Sequence, residues 1–135
     1  MNATIDAIKR HQGRIGRSAS ISVGYAQADV SGGGLIIDLG FTLENMPTQD
    51  TPCWILFSEE RSGKEIGSGF LVCADSFKAP ETGVGYDLSY YCLFSVAHDF
   101  GLTPRDVVCA TISFGENGIR AQLEGNPIRI PVTFL

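Results

Sequence analysis

From Leu35 to Glu44 the chain alternates: Leu35, Ile37, Leu39, Phe41 and Leu43 occupy one set of positions, and Asp38, Thr42 and Glu44 the other. A period of two sends successive side chains to opposite faces of an extended backbone, so this stretch can only bury its apolar half as a strand, with Ile36 the single apolar residue on the outer side. The same period returns in Ile21–Tyr25, in Tyr86–Val96, in Val108–Phe114 and in Ile128–Phe134. Turn residues interrupt these runs: Ser31-Gly32-Gly33-Gly34, Arg61-Ser62-Gly63-Lys64, Asn117-Gly118 and Gly125-Asn126-Pro127. The pattern predicts a mainly β protein, a single antiparallel β-sandwich of jelly-roll or immunoglobulin-like type with about eight strands, a closed β-barrel being the alternative.

Several elements carry finer expectations. Cys53-Trp54-Ile55-Leu56-Phe57 is apolar at every position and predicts a central strand covered on both faces. Gly67 and Gly69 thin the next strand, where a bulge or a close backbone crossing is expected. Residues 77–85 read as a loop, and Ile119–Leu123 as a strand beyond the Asn-Gly turn. Thr103 before Pro104 resembles a capped helical turn. Pro131 lacks the N–H that a ladder uses, which predicts that the last strand lies at a sheet edge or beside a bulge.

Residues 1–17 are different. Asn2 or Thr4 caps an expected short helix, Ile5 and Ile8 share a face, and Gly13 ends it. This arm holds Lys9, Arg10, Arg14 and Arg17 against Asp6 alone, so a net +3 stands beside −8 in residues 18–135, for −5 in all. The division expected is a basic helical arm, 1–17, and a β domain, 18–135. With 135 residues, 44% of them hydrophobic and 19% charged, the chain is long and apolar enough for one core without staples. An acidic body disfavours nucleic acid except through the arm, because phosphate affinity rests on clustered cations. No secretory leader pattern opens the chain and no run of about 18 apolar residues occurs, so neither export nor a membrane contact is expected, and a cytoplasmic or other intracellular site is.

Cys53, Cys73, Cys92 and Cys109 lie in apolar runs without a Cys-x-x-Cys pair, which fits small buried hydrophobes better than zinc ligands or a disulfide frame. Cys109, four residues from Arg105, is the cysteine nearest a cation, a weak setting for a nucleophile. His98-Asp99 invites an acid–base reading with Arg105 nearby, yet neighbours in an extended chain point apart. Gly32-Gly33-Gly34 runs into a strand and lacks the Lys and Ser/Thr of a phosphate loop. No cofactor, metal or catalytic set is called for, so an enzyme is disfavoured.

Asp87-Leu88-Ser89-Tyr90-Tyr91-Cys92 resembles the F strand of immunoglobulin variable domains over six residues, but Trp54 directly follows Cys53 instead of standing between two paired cysteines. Gly67–Leu135, with Phe100-Gly101-Leu102-Thr103-Pro104, resembles the C-terminal sandwich of tyrosinases and haemocyanins, whose copper ligands lie in a helical domain that has no counterpart here, so no functional residue carries over. The function expected is noncatalytic: binding or assembly through protein contacts, to another protein or to copies of the chain. Lys9, Arg10, Arg14 and Arg17 serve as the tether and Trp54 and Tyr91 as aromatic contacts. The alternatives are an acidic accessory subunit or inhibitor of a partner protein, including a phage or host-defence antagonist, and a small-molecule-binding barrel or enzyme using His98, Asp99 and Arg105.

Overall fold

A computed structural model describes residues 20–46, 49, 52–78, 85–114 and 123–135. The basic arm, the Asn117-Gly118 turn and nearly all of the strand expected at Ile119–Leu123 lie outside the described residues, and among the described residues there is no helix. The strands are β1 (Ser20–Ser31), β2 (Gly34–Met46), β3 (Cys53–Glu59), β4 (Glu65–Leu71), β5 (Asp75–Lys78), β6 (Tyr86–Val96), β7 (Val107–Phe114) and β8 (Ile128–Phe134). They form one sheet in the order β4-β3-β7-β8-β1-β2-β6-β5, curled into a half-barrel. The protein is mainly β as expected, but one continuous sheet replaces two packed ones, and the β1–β8 contact is parallel where an all-antiparallel sheet was expected.

Connectivity explains the curl. Laid flat, the two ends of an eight-stranded sheet stand about 34 Å apart, at roughly 4.8 Å per step. Here β4 and β5 are those two ends, and only Val72, Cys73 and Ala74 join them, a link that spans at most about 14 Å. The sheet has to bend until its ends approach. β4 meets β6, the neighbour of β5, through side chains: a Cβ added to Gly67 of β4 would lie 2.7 Å from the Phe94 ring of β6, and Phe94 packs on Phe57 with 5.4 Å between centroids. Of the two expectations for this glycine, the bulge is present, the register shifting between Phe57–Gly67 and Ser58–Glu65, while what approaches Gly67 is a ring and not a backbone.

Hairpin chemistry sets the registers. Gly32 and Gly33 both have positive φ, 58° and 79°, which closes β1 on β2 with Ser31 opposite Gly34. On the inner face Val30, Leu35 and Val96 form one cross-strand row, Ala28, Ile37 and Phe94 the next, and Ala26, Leu39 and Cys92 the third. Leu35, Ile37, Leu39, Leu43, Leu88, Tyr90, Ile112 and Ile130 are fully buried, so the concave side is filled with side chains.

Three expectations need correction. The last strand is interior, between β7 and β1. Val132 N–H donates to Asp106 O and Leu135 N–H to Val30 O, so even-numbered amides of β8 face β7 and odd-numbered ones face β1. Pro131 is an odd position just ahead of Val132, where pairing with β1 begins, so its missing N–H costs no ladder bond. The second correction concerns β3, which is covered on one face only: Trp54 is exposed and Leu56 half-buried. The third is the stretch read as loop from 77, which starts inside β5, a four-residue edge strand too short to show a period. The single capped turn expected at Thr103-Pro104 is present: Asp106 N–H donates to Thr103 O, Arg105 N–H to Thr103 Oγ1 and Thr103 N–H to Asp106 Oδ2.

Candidate functional site

The turn after β6 holds the residues with the most chemical promise in the sequence, and they are spent on the turn itself. His98 Nδ1 accepts the Phe100 N–H at 2.8 Å, and the imidazole lies 4.5 Å from the Phe100 ring. Asp99 Oδ1 accepts the Gly101 N–H at 3.0 Å, Phe100 and Gly101 carrying positive φ of 55° and 68°. Arg105 uses its backbone N–H on Thr103 Oγ1, and among the described residues no ion pair joins its side chain to His98 or Asp99. With Nδ1 accepting that bond, the proton of the neutral imidazole sits on Nε2, and no ring lone pair is left for a general base while the turn holds.

No disulfide joins the four cysteines. Burial, followed by the neighbouring Cys92 and Cys73, pushes the Cys53 thiol far above its ordinary value. Burial and then Glu60 push Cys109 upward too, opposite to what a nucleophile needs. Arg129 is the reason Glu60 lies low: Nε and Nη2 both donate to its carboxylate, Nη2 at 2.9 Å. Among the described residues no three His, Cys, Asp or Glu side chains are grouped to hold a metal ion, and no helix is long and apolar enough to cross a membrane.

What the outer surface does present is apolar. Trp54 and Phe70, paired across β3 and β4 with ring centroids 4.9 Å apart, flank a shallow hollow of about 370 Å³ floored by Leu56, Ser68, Thr111 and Ser113. The second surface is broader and runs across β1, β2 and β6. Tyr25, Gly40 and Tyr91 form one outward row, Gln27, Asp38 and Leu93 the next, and Asp29, Ile36 and Ser95 the third. Tyr91 is 59% and Leu93 71% exposed, high for side chains that a lone sheet would be expected to tuck away. The Tyr25 ring lies over Gly40, where a Cβ would come within 2.5 Å of it, and the cleft between Tyr25 and Tyr91 has a volume of about 260 Å³. Burial against the sheet, then the adjoining Asp38 carboxylate, raises the Tyr25 hydroxyl above its usual range.

The charge on this face has one sign. Asp29, Asp38, Glu44 and Asp87 project among the apolar groups, and β1, β2 and β6 contain no Lys or Arg. Tyr91, singled out by sequence, is central to the face; Trp54 sits on the other patch; Lys9, Arg10, Arg14 and Arg17 lie outside the described residues. Sequence reasoning missed Tyr25 and Leu93 as neighbours of Tyr91, although a signal exists: no cation occurs from Ser18 to Glu60, nor from Ala79 to Pro104. Compared with known proteins, the chain matches no family model, no curated protein and no solved structure. The class that the fold and surface define is a half-barrel with an acidic, apolar outer face.

Proposed function

We propose that this protein is a noncatalytic binding module that receives a protein partner on the outer face of β1, β2 and β6. The observation that carries the reading is the combination on that face: exposed Tyr25, Ile36, Tyr91 and Leu93 interleaved with Asp29, Asp38, Glu44 and Asp87, and no cation among them. Aromatic and aliphatic anchors supply contact area, and a field of one sign selects a basic partner and rejects acidic ones. An accessory subunit or inhibitor whose acidic face occupies a basic site on a larger protein uses the same surface in the same way. The ligand or enzyme reading loses support because His98 and Asp99 are engaged in their own turn.

A synthetic peptide alternating lysine and leucine serves as the probe, titrated onto the full chain at about 50 mM and about 300 mM salt. The expected result is binding that weakens about tenfold or more at the higher salt and again in Leu93→Ala and Tyr91→Ala, each truncation of a contact residue costing about 1 kcal/mol or more. Trp54→Ala is expected to leave the affinity unchanged. Binding that fails with Trp54→Ala and survives Leu93→Ala would move the site to the other patch and overturn this assignment.

A further inference from the structure

We propose that residues 1–17 of the chain lie across the β1–β2–β6 face of the same molecule and occupy it until a partner displaces them. The inference rests on that face being the docking surface, and adds its resident occupant. Charge complementarity comes first. The face carries four carboxylates and no cation, and the segment of the chain with the largest surplus of cations is 1–17, where Lys9, Arg10, Arg14 and Arg17 stand against Asp6. Its Ile5, Ile8 and Ile15 match the apolar side of the face as its cations match the carboxylates.

Attachment comes second. The segment joins the sheet at Ser20, whose Oγ donates to Glu44 Oε1 at 3.0 Å, so the tether starts on the face it would cover. From Ser20 to Asp29 the face extends about 30 Å along β1, at roughly 3.3 Å per residue. Residues 11–19 reach about as far when extended, which lets Ile5 to Arg10 lie against any row from Ser22–Thr42 to Asp29–Ile36. A tether of this length holds the segment at an effective concentration in the millimolar range, far above that of a second copy in dilute solution, so the same molecule is favoured as the acceptor.

The test uses the full chain with Leu93 replaced by the photocrosslinker p-benzoylphenylalanine, a position open enough to accept the bulk. Equal amounts of light and heavy-isotope chains are mixed, irradiated and mapped by mass spectrometry. Crosslinks from position 93 to residues 1–17 within one isotopic chain are expected, with their loss in the K9E/R10E/R14E/R17E variant and none when the photocrosslinker stands at Trp54. Crosslinks joining light to heavy chains would make a second copy the occupant and overturn the proposal; absence of crosslinks to 1–17 would overturn it as well. The same charge-reversed variant is expected to bind the lysine–leucine peptide about tenfold more tightly, the advantage of an emptied face. If the peptide binds both forms equally, the occupant is wrong and the face stands; if it binds neither, the face itself is wrong.

Discussion

Gly40 and Gly67 each stand beneath an aromatic ring, and the difference between the rings decides what a methyl group does there. At Gly67 the added Cβ meets Phe94 at 2.7 Å, and Phe94 is wedged against Phe57 at the seam that closes the half-barrel. Overpacking of this kind costs about 1–3 kcal/mol, so Gly67→Ala is expected to lower the urea midpoint by that equivalent. At Gly40 the clash is with the Tyr25 ring, which is partly exposed and free to swing outward. Gly40→Ala is therefore expected to cost less than about 1 kcal/mol, offset by the better strand propensity of alanine, and to return the Tyr25 hydroxyl toward its ordinary titration. Equal losses in the two variants would show that the seam is no tighter than the surface. The sequence marked Gly67 as a bulge or a close crossing because glycine in a strand signals one or the other. Gly40 carried the same signal, but only the pairing of β1 with β2 reveals that a tyrosine faces it.

Elements were legible where a period was long enough to read. β2 and β6 run 13 and 11 residues with alternating burial, so their faces follow from the residues alone. β5 has four residues and no period, and its pairing with β6 is a consequence of the tight link after β4. The segment Gly125-Asn126-Pro127 is a turn as expected, yet its energetic role is not local. Pairing of β7 with β8 stops at Ala110–Ile128, and beyond it Asn126 takes the place of a strand: Oδ1 accepts the Ile112 N–H at 3.0 Å and Nδ2 donates to Ile112 O at 2.8 Å. Ile112 is fully buried, so Asn126→Ala strands a donor and an acceptor together. A loss of about 2–6 kcal/mol is expected in urea unfolding, at about 1–3 kcal/mol per unsatisfied group, with faster hydrogen exchange at the Ile112 amide. Unchanged exchange there would mean that the amide is satisfied without Asn126.

At the scale of the whole molecule, period and turn chemistry name the class but not the order of strands. Nothing in Ile128–Phe134 announces that it inserts between β7 and β1, because long-range pairing depends on partners far away in sequence. The candidate face was hidden for the same reason, its rows being assembled from β1, β2 and β6. A molecule-wide consequence of the filled interior is its response to alkali. Burial holds Cys53 protonated far above the usual thiol range, and burial also raises Cys92 and Cys109. In the unfolded chain a thiol ionises near a pKa of about 8.5, so below that pH both states carry the proton and the full stability is present. Above it the unfolded state sheds protons that the folded state keeps, and stability falls as pH rises, by about 1.4 kcal/mol per pH unit for each thiol held fully protonated. Urea midpoints measured from neutral pH upward are expected to stay level and then decline beyond about 8.5. Cys53→Ala shifts the neutral-pH stability through the cavity it leaves, but the reading is the slope: the decline is expected to be shallower in Cys53→Ala and shallower again when Cys92→Ala is added. An alkaline slope identical in all three chains would place the titrating groups elsewhere and remove the thiols from this account.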